Sequence, residues 1–206
     1  MKTVRVFISS IMAGVCIALG GTVFLSVENG IVGALLFTIG LFTICTMGFS
    51  LFTGRVCYFM GGGVKRIAEL ALIWAGNSAG TWMCARLLTL TRNVGIIGRA
   101  EKICEVKLSD ELLSVFVLAV FCNMLIYIAV ESFNRNPHEL GKYLALFFGV
   151  STFILCGFEH CIANMFFISL AGMWGKRAMI FILVCTAGNS LGGLLIPAAR
   201  RVIDKV

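Results

Sequence analysis

The chain has 206 residues, of which 59% are hydrophobic and 13% are charged, and its mean hydropathy is +0.99. A soluble domain carries roughly a quarter of charged residues on its surface, so this composition excludes a soluble globular protein. The net charge of +7 would suggest nucleic acid as the partner of a soluble protein. Here the charges lie between apolar runs, which favours a lipid bilayer and argues against nucleic acid.

Apolar runs of membrane-spanning length follow one another along the chain. Because a spanning helix needs about 20 apolar residues, we predict six spans in a single transmembrane domain, residues 1–206. The first predicted span, about Val6 to Val27, has the basic start of a signal peptide but too long an apolar core, and we keep it as a helix. A polar connection is predicted over residues 91–110. The remaining spans are predicted at 31–63, 67–90, 111–132, 143–173 and 178–199.

Two of these spans, the second and the fifth, are too long for one straight helix. The second is interrupted around residues 47–54 and the fifth at residues 157–160. Backbone at a break lacks its helical hydrogen bonds, which is tolerable only inside the protein or beside a water-filled path. A kink without function is the alternative, and the polar residues at both breaks argue against it.

Two short motifs occur twice, slightly more than half a chain apart. Residues 76–80 (GNSAG) return as residues 188–192 (GNSLG), and Gly48-Phe49 returns as Gly157-Phe158. This predicts two three-helix repeats, about 1–91 and 108–206, the second inverted relative to the first. Glycines four residues apart are typical of close helix packing. The residues assigned to this packing are Gly76, Asn77, Gly80, Gly188, Asn189 and Gly192.

Four polar residues within or beside the apolar runs are the candidates for function: Thr53, Asn123, Glu159 and His160. An ionisable or amide group there is expensive unless it is bonded. We expect Glu159 to hold one ring nitrogen of His160 or the backbone, and Asn123 to bond the other partner, which leaves His160 facing a pore. Glu159 and His160 could also be a hydrolase pair, but no nucleophile or metal ligand stands at a recognisable spacing, so an enzyme is not expected.

Nine cysteines raise the question of metal binding or disulfides. Most of them lie inside apolar runs at the spacing of core residues, and the sequence contains no Cys-x-x-Cys pair. We interpret them as buried small hydrophobes in a reducing compartment. Neither a metal nor another cofactor is therefore expected.

The distribution of Lys and Arg predicts the orientation in the cytoplasmic membrane. Six spans place both termini on one side, and ten basic residues lie there, against six on the other side. The positive-inside rule then favours cytoplasmic termini. The ten are Lys2, Arg5, Arg55, Lys65, Arg66, Arg135, Lys142, Arg200, Arg201 and Lys205.

The run GFEHCIANMF at residues 157–166 resembles the signature of the formate/nitrite transporter family. Residues 51–53 (LFT) and the two Gly-Asn motifs are similar to its other motifs, so the resemblance covers essentially the whole chain. It implies an all-α, aquaporin-like homopentamer with one pore per protomer. The pore would conduct small monovalent weak-acid anions, with formate as the first candidate and nitrite or hydrosulfide as alternatives. Whether a proton is coupled to transport at a central histidine stays open. An aquaporin-like channel for neutral solutes is the alternative, but it would carry Asn-Pro-Ala at both breaks, and neither has it.

The resemblance also implies roles by position. His160 would be the central histidine and Thr53 the residue opposite, with Glu159 and Asn123 restraining the ring. Apolar constrictions would lie on the cytoplasmic side (Leu41, Leu51 and Phe52) and on the outer side (Phe37 and Phe153). Lys107 and Arg5 would be the charges of the outer and the cytoplasmic vestibule.

Three positions depart from the family pattern. Arg5 stands where lysine is usual and cannot readily give up a proton. Ser169 and Val184 align with prolines of the family.

The pore that the resemblance implies has a mostly apolar filter, which selects by size. Formate, nitrite, hydrosulfide, acetate and lactate therefore all remain candidate substrates. The permeating form is either the bare anion or the neutral acid.

Overall fold

The computed structural model describes residues 2–60 and 63–204. Within these two ranges all regular secondary structure is helical. In chain order the helices are α1 (Lys2–Ser26), α2 (Gly30–Phe37), α3 (Ile39–Met47), α4 (Phe52–Val56), α5 (Gly63–Leu88), α6 (Gly95–Ser109), α7 (Leu112–Arg135), α8 (Glu139–Leu155), α9 (Cys161–Ala171) and α10 (Lys176–Ile203).

Four helical stretches in the described residues are long and apolar enough to cross a bilayer. They are α1, the joined pair α2–α3 over Gly30–Met47, α7 and α10. Helix α9 is apolar but has only 11 residues. Ten consecutive residues of α9, from Cys161 to Leu170, are buried, so this short helix lies at the centre of the bundle.

The prediction of a plain connection over residues 91–110 is wrong, because this stretch contains α6. One face of α6 is buried, and the buried residues Ile96, Ala100 and Cys104 recur every four positions. That spacing is the signature of an amphipathic helix and could have identified it. The predicted continuation of the second span beyond α4, which ends at Val56, is also wrong over residues 57–60, which are not helical, and its part at residues 61–62 lies outside the described residues.

The chain leaves the helical path at residues 48–51 and again at residues 156–160. Gly48 follows α3 with a φ of 70°, and Gly157 follows α8 with a φ of 67°. Glycine adopts this left-handed conformation without the strain that a Cβ would cause.

Two buried asparagines, 112 positions apart in sequence, hold these non-helical segments. The Asn77 amide donates to the carbonyl oxygens of Ser10 (2.7 Å) and Ser50 (3.0 Å), and its Oδ1 accepts from the Phe52 N–H (2.8 Å). A side-chain amide thus replaces the hydrogen bonds that the helix no longer supplies.

Asn189 makes the same set of bonds in the second half. Its amide donates to the carbonyl oxygens of Ala119 and Glu159, each at 2.8 Å, and its Oδ1 accepts from the Cys161 N–H at 2.9 Å. Each of these partners lies 109 residues after its counterpart at Asn77.

Helix α1 packs on α5, and α7 packs on α10, through glycines. A methyl group on Gly80 would lie 2.2 Å from the carbonyl oxygen of Ile11, and one on Gly192 would lie 2.0 Å from that of Val120. The backbones therefore approach as closely as small residues allow, as is common between membrane helices.

Candidate functional site: the His160–Thr53 pair and its two cavities

His160 is buried at the N-terminus of α9, where its side chain caps the helix. Its Nδ1 accepts the backbone N–H of Ala163 at 3.1 Å, and its Nε2 lies 3.0 Å from Oγ1 of Thr53, which is also fully buried. A ring nitrogen that accepts a hydrogen bond carries no proton, so the proton of the neutral ring lies on Nε2. The imidazole then donates to Thr53, whose own hydroxyl proton is free for another acceptor.

Two phenylalanines, Phe153 and Phe37, lie beside the imidazole. The ring of Phe153 stacks on His160 with centroids 5.7 Å apart and 19° between the planes. Phe37 meets Phe153 edge-on at 6.1 Å. These rings line a cavity of about 140 Å³, which we call the His160 cavity; its wall also includes Lys107 and Asn164.

A second cavity, of about 200 Å³, lies at the first non-helical segment. We call it the Arg55 cavity, and its lining includes Leu41, Leu51, Gly54, Arg55, Tyr58 and Asn134. Leu41 and Leu51 are each only 2% exposed. Leu51 and Gly54, which line this cavity, lie within two residues of Thr53, and His160 lines the other cavity, so the Thr53–His160 contact connects the walls of the two cavities. Phe52 lines neither, and its backbone N–H is held by Asn77.

Glu159 forms a buried ion pair with Lys107 of α6. Lys107 Nζ lies 2.6 Å from Glu159 Oε2, and the Asn164 amide donates to the same oxygen at 2.7 Å. Lys107 and Glu159 also line a wider cavity of about 780 Å³. The pair is neutral overall, so Lys107 does not present an isolated positive charge.

Asn123 supports the backbone of the first break. Its amide donates to the carbonyl oxygens of Thr53 (3.1 Å) and Asn189 (2.7 Å), and its Oδ1 is buried without a hydrogen-bond partner among the described residues. We expected Glu159 and Asn123 to restrain the imidazole. Their bonds go to other groups instead, and the ring is held by Thr53 and by the backbone of Ala163.

Sequence reasoning missed Asn164 as the partner of Glu159, and it treated Asn77 and Asn189 only as packing residues. An amide inside an apolar helix is costly unless bonded. The argument applied to Asn123 therefore holds for these three asparagines as well.

None of the three residues that depart from the family pattern lines the His160 cavity. Arg5 is exposed on α1, and Val184 is partly exposed on α10. Ser169 accepts a hydrogen bond from the Trp174 indole N–H at 2.9 Å, next to the short turn between α9 and α10. Within residues 2–60 and 63–204, no three His, Cys, Asp or Glu side chains are grouped as a metal site would need.

The family model "Formate/nitrite transporter" matches residues 1–202. The chain belongs to the formate/nitrite transporter family. Among its relatives in this family, a probable formate transporter of Methanothermobacter thermautotrophicus is 29% identical, covering 94% of this chain and 86% of the relative. The formate channel FocB of Escherichia coli (strain K12) is 30% identical, covering 82% of this chain and 67% of the relative.

Solved structures share the fold of this formate/nitrite transporter family member. A pentameric formate channel with formate bound superposes with a TM-score of 0.87 at 22% identity, covering 100% of this chain and 98% of that one. An ion channel of the same family gives a TM-score of 0.84, also at 22% identity, covering 98% and 90%. With its several apolar helices, this family member is a multi-pass membrane protein.

Proposed function

We propose that this chain is a channel for small monovalent weak-acid anions, with formate as the first candidate and nitrite or hydrosulfide as alternatives. The observation that carries the proposal is the Thr53–His160 hydrogen bond, which connects the walls of two cavities. The names of the formate channel and the formate transporter among its relatives support the substrate class.

The chemistry follows from the apolar walls and the polar centre. A bare anion cannot cheaply pass Leu41 and Leu51 on one side or Phe37 and Phe153 on the other, because desolvation costs several kcal/mol or more. Between these constrictions the free hydroxyl proton of Thr53 would replace part of the hydration shell. The competing route, passage as the neutral acid, predicts that flux rises as the pH falls toward the pKa of the substrate.

We further propose an aquaporin-like architecture of six spans in two inverted three-helix repeats within one channel domain, residues 1–206. The second span would be broken at residues 48–51 and the fifth at residues 156–160. The matching hydrogen bonds of Asn77 and Asn189 support this arrangement.

We also propose that the chain forms a homopentamer in the cytoplasmic membrane with both termini cytoplasmic. The solved formate channel with the same fold is pentameric, which supports the assembly. The distribution of basic residues supports the orientation.

The test is uptake of labelled formate, nitrite and hydrosulfide by proteoliposomes at several pH values. We expect wild-type protein to carry at least one of these anions and His160→Ala to lose at least about tenfold in rate, because the polar centre would be removed. His138→Ala is the matched control, since His138, the second histidine of the chain, lies in the connection before α8. Full transport by His160→Ala, or uptake of neutral solutes alone by the wild type, would contradict the proposal.

A further inference from the structure

Arg55 lies in α4 and lines the Arg55 cavity together with Leu41 and Leu51. Among the described residues that line this cavity, Arg55 is the only cationic one. We propose that Arg55 forms an anion-binding subsite in this cavity, directly before the Leu41–Leu51 constriction, and that it selects anions with two oxygen atoms. This inference rests on the proposed anion channel.

Two arginines near Tyr58, which lines this cavity, are paired with a carboxylate, and Arg55 is not. Arg135 lies 2.8 Å and Arg200 lies 3.7 Å from Oε1 of Glu131, while the Tyr58 hydroxyl donates to Oε2 at 2.7 Å. In residues 2–60 and 63–204, Arg55 has no carboxylate oxygen within 4.0 Å. Its charge is therefore available to a solute.

Two serine hydroxyls, on Ser9 and Ser50, orient the Arg55 guanidinium. Arg55 Nη2 donates to Ser50 Oγ at 3.4 Å, and the Ser9 hydroxyl donates to the same oxygen at 3.3 Å. The Ser50 N–H returns a bond to Ser9 Oγ at 3.0 Å. Ser50 lies outside the lining of the Arg55 cavity, so these bonds position the guanidinium and do not themselves contact a solute.

The guanidinium determines which anions fit best. Its planar fork of N–H groups pairs with two oxygens of one anion at once, which a point charge such as ammonium does not do. Formate and nitrite each offer two oxygens on one atom, whereas hydrosulfide offers a single sulfur. The subsite therefore favours the two-oxygen anions before they reach the apolar constriction.

Three other charged residues lie near this cavity and could compete with Arg55 for the solute or for its guanidinium. Arg5 lies one turn before Ser9 on the same face of α1, but it does not line the Arg55 cavity. Glu69 and Arg66 share a small adjoining cavity of about 60 Å³ with Arg55, so Glu69 is the carboxylate best placed to draw the guanidinium away.

The test compares formate and hydrosulfide flux in membrane vesicles of both orientations. Flux is measured at about 0.01 M salt, where the Debye length is about 30 Å, and at about 1 M salt, where it is about 3 Å. We expect Arg55→Gln to lower formate flux from the side that exposes the chain termini by about tenfold at low salt, and less at high salt. Arg55→Lys should keep hydrosulfide flux but lower the formate-to-hydrosulfide ratio by about threefold to tenfold. Because Arg55→Lys keeps size and charge, it carries the test even if Arg55→Gln fails to assemble.

Three variants act as controls. Lys65→Gln removes one positive charge at the start of α5, outside this cavity, and should leave the ratio unchanged. Arg5→Gln should have a smaller effect than Arg55→Gln, and Glu69→Gln should not lower formate flux. The inference is overturned if wild-type vesicles carry formate while Arg55→Lys shows the wild-type ratio, or if Lys65→Gln or Arg5→Gln loses as much as Arg55→Gln. Wild-type vesicles that carry no anion would instead refute the proposed function.

Discussion

At the scale of single residues, the ion pair of Lys107 and Glu159 most changes the picture of the pore. The glutamate side chain is 4% exposed and the lysine side chain 19% exposed, and their charged atoms lie 2.6 Å apart. A buried charge that loses its partner is strongly destabilising, while replacing both partners can be nearly neutral. The main role of Lys107 is therefore to neutralise Glu159. Because the glutamate cancels much of the lysine's positive potential, only the remainder can attract an anion.

We predict that Lys107→Met lowers the free energy of unfolding by about 3 kcal/mol, because Glu159 is left as a buried charge without its partner. Formate flux should fall equally at low and high salt, because the lost contact is local. Adding Glu159→Gln should restore most of the stability. Lys102→Met, in the same wide cavity, is the control. Thermal unfolding in detergent and proteoliposome uptake measure the two effects. A flux loss that appears only at low salt would instead support the long-range vestibule charge predicted from the sequence.

At the scale of helices, two pairs approach through glycine, and two asparagines hold the neighbouring breaks. Gly76 and Gly80 flank Asn77 on α5, so the same turn that allows close packing on α1 also carries the amide to the first break. Gly188 and Gly192 do the same for Asn189 on α10. Packing and polar support are therefore coupled, and a shift of either helix would move the backbone beside the proposed pore.

We predict that Gly80→Ala and Gly192→Ala each lower the free energy of unfolding by about 1–3 kcal/mol, because the new methyl group would meet a backbone carbonyl that cannot move aside. Gly98→Ala is the matched control in α6, where an added Cβ meets no atom within 4 Å. That control should be neutral or slightly stabilising, since alanine favours helix. Equal unfolding temperatures for all three variants in detergent would contradict the close packing.

At the scale of the whole molecule, the proposed pore is formed by one chain. Thr53 and His160 belong to the same protomer and are 107 residues apart. Large apolar side chains such as Leu87 (61% exposed) and Phe148 (64%) lie on the outside of this single chain. Lipid or neighbouring subunits must cover them, because contiguous exposed apolar surface is unfavourable in water.

We predict that pentamers mixed from wild-type and His160→Ala subunits transport formate in proportion to the wild-type fraction, because each protomer would conduct on its own. Mixed proteoliposomes at constant total protein provide the measurement. A steep loss at a small mutant fraction would place the pathway between subunits instead. Size-exclusion chromatography with light scattering checks that the mixed assemblies keep five times the 22.3 kDa mass of one chain.

The sequence by itself determined the apolar runs, the glycines that end α3 and α8, the repeated Gly-Asn motifs and the family. These features depend on local properties, namely hydropathy over about 20 residues and the conformational freedom of glycine. The boundaries of most helices could be predicted to within a few residues for the same reason. The end of α4 and the whole of α6 are exceptions; α6 was missed because its half-polar composition looks like a loop unless its period is counted.

Only the tertiary structure decided which polar groups meet. Glu159 was placed next to His160 by sequence, yet it bonds to Lys107, 52 residues away, while the imidazole bonds to Thr53. Arg55 gave no signal beyond its charge, and its position in a cavity beside Ser50 depends on how α4 lies against its neighbours. The physical reason is that hydrogen-bond partners in a helical membrane protein are set by helix packing, which brings together residues that no local pattern connects.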